Sequence, residues 1–352
     1  MRFLLSGYYG YDNAGDEAVL AAILAQVSEQ APGCEFVATS GAPDTTTKLH
    51  ASAQYGLRCV GRDDFGGLWR EIKQCDVFVS GGGSLLQDVT SLRNIVYYTG
   101  LIRLAQLARK PAMIYAQGIG PLKKPLSQKL TRAALQSKNT RVIAVRDPGS
   151  KALLEKIGVR KNIEVTADPV WALRPQGGTT HQRQNGSPVW MVSLRSWLNA
   201  GVPDAEAALL ATIREAAKAQ NATLRFLAMQ PARDRALTEA LGVAPQEILA
   251  TENMHPREIM ALTSQCDLMI AMRLHALIFA AAQGVPCVAV SYDPKVSALA
   301  KLISAPVVAN ASPEELAKLH AVNTAPPPAS FIEEMQSKAR RNAELAINIR
   351  NS

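Results

Sequence analysis

A single unit recurs along this chain and leaves it few folds to choose from. A short apolar run is cut off by Gly, Pro or a charged residue, and a longer stretch with helical spacing follows. Phe3-Leu4-Leu5 runs into a glycine-rich loop, and Glu17 to Val27 then has helical spacing. Asp76-Val77-Phe78-Val79 ends in Gly81-Gly82-Gly83, Ala112 to Ala116 ends in Gln117-Gly118-Ile119-Gly120, and Val142 to Val145 ends in Arg146-Asp147. Apolar runs of this length, joined by helical crossovers, predict parallel sheets covered by helices on both faces.

The segment Arg174 to Pro188 is polar and rich in glycine, and reads as an interdomain linker or mobile loop. Beyond it the alternation resumes. Strands are expected at Val189–Leu194, Leu224–Met229, Leu268–Ala271 and Val285–Val290, and helices at Ala205–Ala219 and Leu274–Gln283. After Ala325-Pro326-Pro327-Pro328, a last helix is expected from Phe331 to about Ile349. A length of 352 residues is long for one core. The reading is therefore an α/β chain of two facing Rossmann-like domains. The first covers residues 1–175, the second 188–325, and a C-terminal helix over 330–352 packs back on the first.

A net charge of +8 suits a phosphate-bearing substrate or an anionic membrane surface. Nucleic acid is disfavoured, because the basic residues look scattered and only 5% of residues are aromatic. Cys34, Cys59, Cys75, Cys266 and Cys287 form no CxxC pair, so packing is expected of them rather than disulfides. Neither a signal peptide nor a spanning apolar run stands out, which makes a cytoplasmic address the expectation.

In open parallel sheets, ligands bind beyond the carboxyl ends of the strands, where helix N-termini offer spare N–H donors. Four groups of residues fall there. In Gly7-Tyr8-Tyr9-Gly10-Tyr11-Asp12-Asn13-Ala14-Gly15-Asp16-Glu17, Gly10 and Gly15 have P-loop spacing. Asp16 and Glu17 stand where that motif needs Lys and Ser/Thr, so a nucleotide triphosphate site is disfavoured. The spacing does not fit GxGxxG either. Two readings remain for the acids: Asn13 or Asp16 caps a helix with Glu17 in its first turn, or a carboxylate serves a sugar hydroxyl as hydrogen-bond partner or base. Ser80-Gly81-Gly82-Gly83-Ser84 can bare backbone N–H groups to an anion, with Ser84 capping the next helix, or can merely allow close packing. Gln117-Gly118-Ile119-Gly120-Pro121 is a third loop of that kind.

The fourth group is cationic. Arg146 and Arg195 follow strands directly, Arg273 and His275 open the helix after Leu268–Ala271, and Lys295 lies in Tyr292-Asp293-Pro294-Lys295. Singly, each reads as a surface charge. Together they stand at strand exits that this fold would gather at one cleft, where Arg pairs an oxyanion bidentately and Lys supplies a point charge. Of five histidines only His275 has such a place; His50, His181, His255 and His320 form no metal-ligand spacing with it, so no metal is expected.

In order along the chain, GYYGYDNAGDEAVL, SGGGSLLQD, YAQGIGP, VRD, SLR, MRLHALIFAAAQGVP and YDPKV resemble the polysaccharide pyruvyl transferase family, in particular its CsaB-like members. The resemblance implies a GT-B-type fold. It also implies transfer of pyruvate from phosphoenolpyruvate to two hydroxyls of one sugar, as a cyclic ketal, with release of phosphate. No cofactor is implied beyond that donor. CsaB-like members act on N-acetylmannosamine in a lipid-linked cell-wall precursor, which helps retain surface-layer proteins. The family's donor-binding residues map onto Arg146, Arg195, His275 and Lys295, with Arg273, Gly82 and Gly83 beside them. His275 is then expected as the general acid, or as the donor to the departing phosphate, an imidazole being suited to proton transfer near neutrality. Asp16 or Glu17 is the candidate base. Tyr11-Asp12 departs from the family's glycine-rich opening, which leaves the acceptor open. The nearest rivals are a GT-B glycosyltransferase using a nucleotide sugar and a non-catalytic glycan- or lipid-phosphate-binding protein.

From Met335 to Ser352 the C-terminal helix carries Lys338, Arg340, Arg341 and Arg350 against Glu344, with Leu345, Ile347 and Ile349 beside them. It can brace the first domain, or help hold a lipid-linked acceptor at the inner face of the membrane through peripheral contact.

Overall fold

A computed structural model describes residues 1–52, 54–89, 92–177, 186–196, 204–310, 312–319 and 324–351. The chain divides into two compact units. One comprises Met1–Tyr11, Asp16–Leu173 and Glu334–Ser352, the other Asp12–Gly15 and Arg174–Glu333. Residues 178–185, the middle of the expected linker, lie outside the described residues, as do His181 and His320.

The first unit is built on β1 (Arg2–Tyr9), β2 (Glu35–Ser40), β3 (Gly56–Gly61), β4 (Val77–Ser80), β5 (Ala112–Gln117), β6 (Thr140–Val145) and β7 (Glu164–Val165). They pair in parallel in the order β3-β2-β1-β4-β5-β6-β7. Every residue of β4 and β5 is buried, the consequence of helices on both faces. The chain leaves β1 toward β2 and returns to its other side as β4, so the topological switch point lies between β1 and β4. Their exits are the first two glycine-rich loops, where ligands settle in such sheets.

The second unit is built on β8 (Val189–Ser193), β9 (Thr223–Phe226), β10 (Leu268–Ala271), β11 (Cys287–Val290) and β12 (Val307–Val308), in the order β12-β11-β10-β8-β9 and all parallel. Its switch point lies between β8 and β10. Each unit has its own apolar core, the first around Phe78, Ile102 and Ile114, the second around Val192, Phe226 and Ile270.

Several helices start on the same local device. Asp147 and Asp293 accept from the backbone N–H groups of Ser150 and Lys295, each with proline at the first helical position. Asp168 caps the short turn Pro169–Ala172 in the same way. An acceptor at the cap meets the unpaired N–H groups, and proline pre-sets φ where no donor is needed.

The last helix spans Ala329–Ile347. Its buried Asn342 accepts from Thr166 Oγ1 at 2.8 Å and donates to the Ala167 carbonyl at 3.1 Å, and Arg341 pairs with Glu164 at 2.9 Å. Lys338 pairs with Glu334 at 2.5 Å. Ile349 is buried, and Leu345 and Ile347 are half-buried, so these side chains present no apolar stripe to solvent. The Arg350 side chain lies outside the described residues. Among the described residues, no helix is long and apolar enough to cross a membrane.

All five cysteines are free thiols, and four are buried. Burial pushes Cys59 up to about 11 and Cys75 and Cys266 up to about 12.

Candidate functional site

In the first unit the exits of β4, β5 and β6 are tied into one platform. Gln117, last in β5, donates from its side-chain nitrogen to Ser80 Oγ at 2.7 Å and to the Gly81 carbonyl at 2.8 Å. The Gly118 N–H donates to the Gly83 carbonyl, and the Gly120 N–H to that of Leu86. Asp88 closes the platform by accepting from the backbone N–H groups of Lys123 and Lys124 at 2.9 and 2.7 Å. Burial alone raises the Asp88 carboxyl, but those donors outweigh it and hold the group below its ordinary range.

Arg146 lies across this platform. Its Nη1 donates to Asp168 Oδ2 at 2.9 Å and its Nη2 to Ser84 Oγ at 3.0 Å, with the side chain 8% exposed. A Cβ on Gly118 would stand 2.7 Å from Arg146 Nε, so only glycine admits the guanidinium there. Ser84 therefore serves Arg146 and caps no helix; the next helix starts only at Leu92.

The three glycines after β4 do different work. A Cβ on Gly82 would stand 2.8 Å from Val19, so the close packing there requires glycine. Gly83 has φ of +86° and faces the Asp16 carboxylate, the arrangement that leaves backbone and acid exposed to one another.

The two acids of the first loop separate. Glu17 is buried, with Oε1 accepting from the Gly10 N–H at 2.7 Å and Oε2 paired with His50 at 2.8 Å. It fixes the loop and presents no carboxylate for a base, which corrects one of the two candidates. Asp16 stands beside Gly83 at the switch point and keeps its candidacy. The buried Tyr9 hydroxyl lies against Gly81 at the same exit and has no hydrogen-bond partner among the described residues. Burial, with Asp16 and Glu17 nearby, keeps that phenol protonated.

In the second unit, Arg195, His275 and Lys295 stand beyond the carboxyl ends of β8, β10 and β11, three adjacent strands around the switch point. Arg195 stacks 4.5 Å over the Tyr292 ring and donates to its hydroxyl at 2.6 Å. Lys295 is in the first turn of the helix Pro294–Leu302, 3.2 Å from Asp293. His275 is in the first turn of the helix Leu274–Ala281. Asp12–Gly15 belongs to this unit, and a Cβ on Gly15 would stand 2.2 Å from His275 Nδ1. Glycine at that position makes room for the imidazole.

Arg273 is held by a buried carboxylate, as Arg146 is. Its Nε donates to buried Asp234 at 3.0 Å, its Nη2 pairs with the same carboxylate, and Gln230 Oε1 accepts at 3.3 Å. The pair sits at the start of the helix that carries His275.

Among the described residues, no group of three or more His, Cys, Asp or Glu could hold a metal ion. What remains is Arg146 at one strand exit of the first unit, and Arg195 and Lys295 with His275 at three exits of the second. Guanidinium and ammonium groups held in place are suited to oxyanions, and an imidazole to proton transfer.

The sequence from residue 13 to residue 294 matches the model of the polysaccharide pyruvyl transferase family. The chain belongs to that family. No curated protein matches it significantly. Among solved structures, this family member is similar to a putative UDP-N-acetylglucosamine 2-epimerase from Listeria monocytogenes, with a TM-score of 0.64 at 11% identity over 99% of this chain and 96% of the other. UDP-GlcNAc 2-epimerase from Methanocaldococcus jannaschii gives 0.64 at 12% identity over 99% and 100%. Anabaena Alr3699/HepE, solved in complex with UDP and glucose, gives 0.59 at 13% identity over 100% and 97%. The fold is thus the GT-B type, shared along the whole chain.

The partners that give these cations their geometry were not read from sequence. Asp168, Tyr292 and Asp234 are distant along the chain from the arginines they hold, though the recurring Asp-Pro cap is a sequence signal for the first. A second missed cluster is Arg62, 4.3 Å over the Tyr97 ring and 3.0 Å from the Tyr11 hydroxyl, with Tyr8 stacked on Tyr11 at 4.2 Å.

Proposed function

We propose that the protein transfers the pyruvyl group of phosphoenolpyruvate to two hydroxyls of one sugar as a cyclic ketal, releasing phosphate. The observation that carries this reading is the placing of Arg195, His275 and Lys295 at three adjacent strand exits of a chain that belongs to the pyruvyl transferase family.

Phosphoenolpyruvate is an enol phosphate with a carboxylate at one end and a phosphate at the other. Its methylene carbon takes a proton, and a sugar hydroxyl adds at C2. Cleavage of the C2–O bond then expels phosphate, and a second hydroxyl closes the ring. In this scheme Arg195 and Lys295 neutralise the donor's anionic groups; Arg146, fixed beforehand by Asp168 and Ser84, is the guanidinium that the first unit offers to an anion. Cations held in place before the reaction stabilise the charge that develops on the leaving phosphate without reorganising. His275 delivers the proton, and Asp16 accepts one from the attacking hydroxyl. The acceptor we assign is an N-acetylmannosaminyl residue of a lipid-linked glycan precursor, on the resemblance to CsaB-like sequences.

A second reading is favoured by the fold likeness to enzymes of UDP-sugars: a glycosyltransferase or epimerase that binds a nucleotide sugar. Thermal protection separates the two. Phosphoenolpyruvate is expected to raise the melting temperature and UDP-N-acetylglucosamine to leave it unchanged, and the reverse pattern overturns the proposal.

A further inference from the structure

Between Val89 and Val145 the chain has no Asp or Glu and ten Lys and Arg, more positive charge than the net +8 of the whole protein. The basic residues that looked scattered are thus concentrated in one part of the first unit. Four of the ten, Arg93, Arg103, Lys129 and Arg132, stand on the helices Leu92–Leu107 and Pro125–Gln136, which pack side by side, and the helix Phe65–Gln74 lies next to the first of them.

The outer surface of these three helices is also apolar. Phe65 is 67% exposed and Leu107 75%, and Trp69, Val96 and Leu126 are exposed large hydrophobics on the same three helices. In the helix Phe65–Gln74 the spacing explains it: Leu68 and Ile72 face the core, while Phe65, Trp69 and Lys73 share the opposite side, with the Lys73 ammonium 5.7 Å from the Trp69 ring. A groove of about 410 Å³ runs between Phe65 and the Val96–Leu104 side of the next helix. Monomers rarely leave contiguous apolar surface uncovered, and such a surface marks an interaction site.

We infer that this three-helix face is a docking surface for a lipid bilayer with anionic headgroups. A bilayer offers what the face requires together: phosphates at the depth of Arg93 and Lys129, and acyl chains at the depth of Phe65, Val96 and Leu107. A second copy would set one surface of net positive charge against another, and like charges across a contact are costly. Nucleic acid would satisfy the charge and leave the leucines and phenylalanine uncovered. The inference relocates membrane contact away from the C-terminal helix, where Lys338 and Arg341 are already paired with Glu334 and Glu164. It stands independently of the reaction proposed above.

Flotation with vesicles of phosphatidylcholine, alone or mixed with phosphatidylglycerol, tests it on the full chain. The protein is expected to float with the mixed vesicles at low salt, and to be released as salt is raised. Arg93→Gln with Lys129→Gln weakens partitioning on the order of twentyfold, as expected for two charges near an anionic surface. Val96→Glu with Leu107→Glu abolishes it, and an unchanged melting temperature shows these exposed sites leave the fold intact. Lys338→Gln with Arg340→Gln has no effect on flotation. Partitioning that survives both the charge and the glutamate pairs overturns the inference. So does a dimer in sedimentation that the glutamate pair dissociates, or flotation lost only in the C-terminal variant.

Discussion

Asp168 holds the Arg146 guanidinium at 2.9 Å with both side chains nearly buried, 8% and 3% exposed. A charge pair of this kind is a fixed dipole, not a free cation. Its value to an anionic ligand is that the remaining N–H donors already point one way when the ligand arrives.

Removing the cation alone leaves Asp168 charged in a dry place. Arg146→Ala should cost about 3–5 kcal/mol of stability, as breaking buried pairs does, besides impairing turnover. Arg146→Ala with Asp168→Ala should recover most of the stability and none of the turnover. Denaturant midpoints and initial rates of the two variants separate the roles; recovery of turnover in the double variant would show that Arg146 serves only the fold.

Gly15→Ala is expected to behave as a His275 variant, because the new methyl occupies the position of Nδ1. Turnover should fall on the order of 10²-fold or more, in the range of general acid catalysis, with donor affinity much less affected. His275→Gln should not restore the rate, since an amide donates a hydrogen bond but delivers no proton. A Gly15→Ala protein with parental kcat would remove His275 from the chemistry.

The parallel sheets were legible because strands buried on both faces leave uninterrupted apolar runs, such as Ala112–Ala116 and Leu268–Ala271. The helix Ala205–Ala219 was legible to the residue, where Pro203-Asp204 and Gln220 bound an alanine-rich stretch. Short edge strands such as β7 and β12 leave too little pattern. The cations at the strand exits could be found by position alone. Their occupation could not: Arg273 looks like Arg195 in sequence, and only folding brings Asp234 against the one and Tyr292 over the other. The same limit applied to Glu17, whose partners Gly10 and His50 lie on separate elements. The basic three-helix face went unseen because charge was judged by its total and not by where the acids are missing.

Asp88 gives the protein a pH dependence. Its carboxyl is lowered in the folded state by the N–H donors of Lys123 and Lys124, so its stabilising effect is complete above the ordinary value of 3.8 and is lost as pH falls through the lower folded value. Asp88→Asn should therefore lower the melting temperature at neutral pH, and the gap from the parent should close as pH drops below that ordinary value. A gap that persists undiminished at low pH would assign the effect to something other than the ionised carboxylate.

Transfer of pyruvate is measured most directly by incubating the protein with phosphoenolpyruvate and an N-acetylmannosaminyl acceptor, following phosphate release and acceptor mass together. The expected result is phosphate released only when acceptor is present, an acceptor heavier by one pyruvate less one water, and a rate indifferent to EDTA because Arg and Lys supply the positive charge. Phosphate release without a mass change, or a mass change that requires a nucleotide sugar, would contradict the assignment of this chain as a ketal pyruvyl transferase.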